Sequence, residues 1–269
     1  DAVFSTWNQC RWIMPEYGKT TIVICEDEQD LGSRAAAAVA ATMRERLSKQ
    51  DELVMILAAG ESQITFLDAL AAQSDIAWDR TVCFNMDDFW DPRMPEQYTC
   101  GYQTRVQLYD KVQPKRTELV RYNAADPEAE ALRFEQLLRE AAPVDILCQG
   151  IGTSGHLALC EPGQIDFGSN RWAEVVPLVG QSKKQLIEDP NFKDLGYIPE
   201  KGITFTLPAL LSAAHVFTMV PLALKKPILS RVLSTDSPTT DLPATIIKWH
   251  DGTLFCDRNS CPDFLIEEL

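Results

Sequence analysis

No apolar run in this chain reaches the roughly 18 residues that a membrane-spanning helix needs. Ala209 to Leu224 comes nearest and carries His215 inside it, so no membrane partner is expected. Positive charge is also scarce: 25 Lys and Arg stand against 39 Asp and Glu, a formal net charge of -14. Without a basic stripe to neutralise phosphates, no nucleic-acid partner is expected either. CxxC pairs are missing, and the eight cysteines are scattered, several inside apolar segments such as Val23-Ile24-Cys25 and Ile146-Leu147-Cys148. That distribution predicts reduced core thiols and a cytoplasmic setting rather than a disulfide or zinc framework. Asp1 to Tyr17 lacks the basic flank and apolar stretch of a signal peptide. Internal repeats and low-complexity tracts are absent, and only three histidines occur.

What remains is an ordinary globular composition, 45% hydrophobic and 24% charged, which permits a sizeable core. The length fits one or two domains. The expectation is a single domain over residues 1–269, with 1–19 as an N-terminal extension. Short apolar runs alternate with helical patterns. Thr21 to Glu26, Leu53 to Leu57, Thr81 to Asn85 and Val144 to Cys148 read as strands, as do Gly202 to Thr206, His215 to Pro221 and Ala244 to Trp249. Leu31 to Leu47, Gln63 to Ala72, Gly101 to Tyr109, the segment after Asp126-Pro127 and Lys225 to Leu233 read as helices. Strands separated by helices of this length imply parallel pairing. The predicted fold is α/β, an open, doubly wound, mostly parallel Rossmann-like sheet with helices on both faces. Ligands in such sheets bind beyond the carboxyl ends of the strands.

Three strand ends carry residues suited to chemistry. Gly60-Glu61-Ser62-Gln63 runs into a helix, where backbone N–H groups and a hydroxyl form an anion site. The same residues also fit an ordinary turn with Ser62 as N-cap. Asn85-Met86-Asp87-Asp88-Phe89-Trp90 places two adjacent carboxylates at the end of a buried strand. One of them suits a general base, because burial and a neighbouring charge raise a carboxyl pKa; alternatively this is a solvated turn with Asp88 as a helix cap. In Gly150-Ile151-Gly152-Thr153-Ser154-Gly155-His156, glycines surround a histidine, and Glu161-Pro162 follows five residues on. Imidazole titrates near neutrality and a nearby carboxylate can orient it. His215, in an apolar strand, and His250, beside Trp249, read as structural.

Taken in order, these blocks resemble the glucosamine-6-phosphate deaminase (isomerase) family over roughly Thr20 to Asp257. The matching features are a glycine-rich first turn, an Asn-Met-Asp-acidic-aromatic block, and a Gly-His block with Glu-Pro five residues after the histidine. Phe217 to Leu222, followed by Lys225, is similar to the strand and phosphate-binding lysine of that family. The resemblance implies that Asp87 moves the proton between C1 and C2 of an open-chain sugar. It also implies that His156, paired with Glu161, opens the pyranose ring, and Ser154, two residues before the histidine, is a further catalytic candidate beside them. Gly60, Glu61, Ser62, Asp88 and Lys225 would lie around the sugar phosphate. The implied reaction turns glucosamine 6-phosphate into fructose 6-phosphate and ammonia, with no metal and no organic cofactor, in a homo-oligomer. Two positions depart from the family pattern: Ser154 stands where the family has Asp, and Glu61 where it usually has glycine. Lys183 and Lys184 lie in the region of the family's lid arginine. Two other readings share the fold: a 6-phosphogluconolactonase-like hydrolase, against which Asn85-Met86-Asp87 and Glu161-Pro162 speak, and a sugar-phosphate-binding protein without catalysis. Gly150-x-Gly152-x-x-Gly155 matches a dinucleotide-binding spacing, but it follows a late strand and lacks the acid expected about 20 residues on.

Overall fold

The structure, a computed structural model, describes residues 13–188 and 190–267. Of the expected N-terminal extension, residues 1–12 lie outside the described residues; 13–17 form the first strand.

Eleven strands are described. Eight form one sheet: β1 (Ile13–Tyr17), β2 (Thr20–Cys25), β3 (Leu53–Leu57), β4 (Thr81–Asn85), β6 (Arg116–Glu118), β7 (Ile146–Gln149), β10 (His215–Val220) and β11 (Gly252–Asp257), in the order β1-β2-β11-β10-β7-β3-β4-β6. Only edge strand β1 is antiparallel to its neighbour; the other seven run parallel. All residues of β3, β4 and β7 are buried, as expected of parallel strands covered on both faces. Along β3, Val54 and Ile56 pack into one core with Phe84 and Phe134, while Leu53, Met55 and Leu57 pack into the other with Phe66 and Phe255. The period-2 alternation of a strand thus feeds two cores, one per face. The doubly wound parallel sheet agrees with the sequence pattern.

The crossover helices have the expected chemistry. Helix α1 (Glu28–Leu47) starts at Asp27, whose carboxylate accepts from the Asp30 N–H, with acids in the first turn and Arg44 and Arg46 in the last, each complementing the helix dipole. Arg46 donates at 2.7 Å to Asp145, a carboxylate that is 2% exposed and also accepts from the Val54 N–H, so a buried charge is paired and hydrogen-bonded. Helix α2 (Ile64–Ala71) follows β3 after a 3₁₀ turn at Glu61–Gln63. Helix α3 (Cys100–Thr104) continues through a π turn at Arg105–Tyr109. Helix α4 (Pro127–Ala141) is capped by Asp126, which accepts from the Glu128 N–H.

Two expectations need correction. First, Asp87–Trp90 (β5), Ala173–Pro177 (β8) and Lys201–Phe205 (β9) form a separate antiparallel sheet in the order β5-β9-β8. Gly202 to Thr206, read as part of the parallel sheet, therefore lies in this smaller one. Phe134 of α4 stacks on Phe205 of β9 at 4.3 Å and ties the two sheets together. Second, Ala244 to Trp249 is a 3₁₀ helix (Pro243–Trp249), and the strand that pairs beside β10 is Gly252–Asp257. Pro243 opens the turn, and Ala244 and Ile247 bury their side chains in the core from it. A short apolar run does not by its periodicity distinguish strand from helix.

Sheet order now positions the site. β10, β7, β3 and β4 are consecutive parallel neighbours, so the segments after Val220, Gln149, Leu57 and Asn85 emerge side by side at one carboxyl edge.

Candidate active site

From β7 the chain enters Gly150–Glu161. The Gly152 N–H donates to the His156 carbonyl at 3.0 Å and the Gly155 N–H to the Gly152 carbonyl at 2.9 Å, closing a tight loop. A Cβ on Gly152 would lie 2.0 Å from His156 Nε2 and Cε1, so the imidazole occupies the space that only glycine leaves open. Ser154 Oγ is 2.8 Å from His156 Nδ1 and donates to Glu161 Oε2 at 2.9 Å, while Glu161 Oε1 stands 3.1 Å from Nδ1. A serine hydroxyl has one proton, and Glu161 receives it, so toward the ring Oγ is an acceptor. Nδ1 therefore carries the N–H, and Nε2 is left for proton exchange with a ligand. Sequence reasoning placed these three residues together, and the structure does so; it adds that Ser154 bridges the other two.

Asp87 and Asp88 open β5, and their side chains part, as successive strand residues do. The Asp88 carboxylate accepts from the N–H groups of Phe89, Cys100 and Gly101 at 2.8, 2.9 and 2.8 Å. It is engaged with the first turn of α3. This corrects its expected place beside the sugar phosphate; nor is it a solvated helix cap, since Asp88 is 1% exposed and the N-cap of α3 is Thr99, whose side chain accepts from the Tyr102 N–H. Burial pushes Asp88 up to about 7 against the pull of those donors. Asp87, 8% exposed, receives no hydrogen bond on its carboxylate among the described residues. Burial, and then the charge of Asp88, push it up to about 7. Of the pair, Asp88 has donors that favour its ionised form, which leaves Asp87 to exchange a proton near neutrality. Thr204, opposite Asp87 in β9, accepts from the Leu159 N–H through Oγ1 at 3.2 Å. That link fastens the His156–Glu161 loop to β9, the antiparallel partner of the strand carrying Asp87. Cys160, between them in the same packing, is an inert thiol pushed up to about 12 by burial and then by the Asp87 charge.

At the end of β3, Gly60 takes φ of 101°, a conformation open to glycine and unfavourable for other residues. It turns the chain so that the Gln63 N–H donates to the Gly60 carbonyl at 2.9 Å. A Cβ on Gly150 would lie 3.1 Å from Ser62 Oγ and 3.0 Å from Gln63 Nε2, so the β3 and β7 ends touch. Beyond β10, Leu222 has φ of 80° and leads into a 3₁₀ turn, Ala223–Lys225, and helix α5 (Lys226–Ser234). Lys225, 8% exposed, donates from Nζ to the Ile151 carbonyl at 2.8 Å, which brings the third strand end to the same place. Burial pushes its ammonium down to about 8, and the charge of Glu61 pulls in the opposite direction. Gly60, Ser62 and Lys225 are thus gathered as expected, with Glu61 exposed at their margin.

Sequence reasoning missed Gln63 and Thr204. Gln63 is 1% exposed, donates to Ser62 Oγ at 3.1 Å and leaves its Oε1 without a partner; its sequence signal was only adjacency to Ser62. Lys183 and Lys184 are exposed on a helix at Gly180–Glu188. Both ring nitrogens of His250 meet carbonyls, of Asp251 and Leu211, at 2.9 Å, and half-buried His215 is lowered by burial first. Among the described residues, no group of three or more His, Cys, Asp or Glu is arranged to hold a metal ion, and none of the helices is long and apolar enough to cross a membrane.

Residues 26–256 match the glucosamine-6-phosphate isomerase/6-phosphogluconolactonase family. The chain belongs to this family. Among curated relatives, the glucosamine-6-phosphate deaminase of Exiguobacterium is 28% identical over 212 residues, 78% of this chain and 80% of the relative. That of Mycoplasmopsis pulmonis is 23% identical over 92% of this chain and 96% of its own. Among solved structures, a monomeric glucosamine-6-phosphate deaminase superposes with a TM-score of 0.77 at 22% identity, covering 89% of this chain and 98% of that one. The 6-phosphogluconolactonase of Plasmodium vivax gives 0.74 at 15% identity, with both chains fully covered. These two structural likenesses are likenesses of fold.

Proposed function

We propose that this family member is an aldose–ketose isomerase and deaminase acting on a hexosamine 6-phosphate, giving the ketose 6-phosphate and ammonia. The observation that carries the reading is the presence of two proton-transfer groups at the same carboxyl edge of the sheet: His156, with its Nδ1–H fixed by Ser154 and Glu161, and buried Asp87, raised to about 7. In this reading His156 Nε2 protonates the ring oxygen as its bond to C1 breaks, and the C1 hydroxyl gives its proton back to the imidazole as the C1 aldehyde forms, opening the pyranose. Asp87, as carboxylate, removes the C2 proton and delivers it to C1. The resulting C2 imine adds water and expels ammonia. Lys225, Ser62 and the amides after Gly60 hold the phosphate, and proton transfers of this kind each contribute about 100-fold to 10,000-fold in rate.

The lactonase alternative needs one base to activate water and makes no use of a second acid–base group raised toward neutrality. Curated relatives named as deaminases also favour the amino sugar. The discriminating experiment sets ammonia release from hexosamine 6-phosphates against base uptake during hydrolysis of a 6-phosphogluconolactone. Ammonia release is the expected result; lactone hydrolysis alone overturns the reading. A homo-oligomer is proposed from the resemblance only, and a relative of the same fold is described as monomeric.

A further inference from the structure

The phosphate end of the site carries a charge that works against a phosphate. Lys225 is nearly buried and gives one N–H to the Ile151 carbonyl, leaving two for a ligand. Ser62 Oγ and the Gln63 amide meet beneath Gly150, and the unpartnered, buried Gln63 Oε1 marks polar capacity that no described side chain uses. Glu61 begins the 3₁₀ turn that presents these groups. Its carboxylate is exposed and makes no ion pair or hydrogen bond among the described residues, yet it lies close enough to oppose the effect of burial on Lys225 and, after burial and the charge of Asp257, to help push Glu28 up. A carboxylate beside the Lys225 ammonium attracts it and repels an entering dianion.

We infer that Glu61 is a specificity-determining residue: set against Lys225, it weakens the site's hold on a terminal phosphate and so narrows the preference for phosphorylated over unphosphorylated hexosamines. The inference rests on the isomerase reading for the identity of the sugar, but not for the sign of the charge effect. It commits to that sign: removing the charge tightens phosphate binding and leaves recognition of a terminal hydroxyl unaffected.

The test uses Glu61→Gln, an exposed and nearly isosteric change, in the full chain. Titration calorimetry with inorganic phosphate, which needs no turnover, is expected to show about tenfold tighter binding in the variant, about 1.4 kcal/mol. KM for a hexosamine 6-phosphate falls in parallel, while KM for the unphosphorylated sugar does not. Unchanged or weaker phosphate binding in Glu61→Gln overturns the inference. If phosphate binding tightens but neither protein releases ammonia, the charge assignment stands and the isomerase reading falls. If ammonia is released and phosphate affinity does not respond, the reading stands and the Glu61 assignment falls.

Discussion

At the scale of single residues, the account depends on which nitrogen and which carboxylate exchange protons. Ser154 decides the first. Where the family pattern has a charged Asp, a hydroxyl donates a hydrogen bond to Glu161 and accepts one from Nδ1, fixing the tautomer with one carboxylate instead of two. Replacing Ser154 by Ala removes that bridge and leaves Glu161 Oε2 short of a donor. We expect kcat to fall on the order of tenfold with KM little changed, and the nitrogen NMR signals of His156 to move from one tautomer toward a mixture. His156→Ala should lose turnover by about 100-fold or more in the ammonia assay; full activity in that variant removes the site assignment. Asp87 decides the second point, and its raised pKa has a measurable sign. A carboxyl whose folded pKa is about 7 stabilises the fold fully below its unfolded value of roughly 4. That contribution is lost as pH rises through about 7. Asp87→Asn, which has no charge to desolvate, should therefore exceed the wild type in thermal stability at pH 8, with the gap closing as pH falls toward 4, while turnover is abolished. Equal stability of the two proteins across that range contradicts the burial of an ionising Asp87.

At the scale of elements, the legible parts were those whose signal is local. Asp126-Pro127 announces α4, and Asp126 caps it. The fully apolar Leu53–Leu57 is an interior strand buried along its whole length. The five-residue step from His156 to Glu161 brings the two side chains within 3.1 Å. What was hidden depends on contacts far apart in the chain. β5 exists because Asp87–Trp90 finds Lys201–Phe205, and no pattern in either segment names the other. Asp88 looked like a ligand because two adjacent acids at a strand end suggest chemistry; the donors that occupy it, Cys100 and Gly101, arrive only when α3 packs against β5. Gln63 and Thr204 were silent for the same reason. The loop after β7 carries a prediction of its own. Gly152→Ala would drive a methyl group into the His156 ring, so activity should drop close to that of His156→Ala while the melting transition stays cooperative. Wild-type activity in Gly152→Ala would show that the ring does not sit where the loop places it.

At the scale of the whole molecule, the sheet order explains why residues from four separate segments share one site. β10, β7, β3 and β4 are neighbours, and their carboxyl ends deliver Lys225, His156, Ser62 and Asp87 to one edge, as open α/β sheets do with ligands generally. The net charge of -14 sets no obstacle to a small anionic substrate there, because one buried ammonium and the amides of a turn act at short range. The family and the fold were both legible in the sequence, through the order of three short blocks. The most direct measurement of the central claim is stoichiometric: incubate the protein with glucosamine 6-phosphate and quantify ammonia and ketose 6-phosphate together. The two should appear in equal amounts, and neither should appear with Asp87→Asn or His156→Ala. Ketose formed without ammonia, or no conversion by a folded wild-type protein, would contradict it.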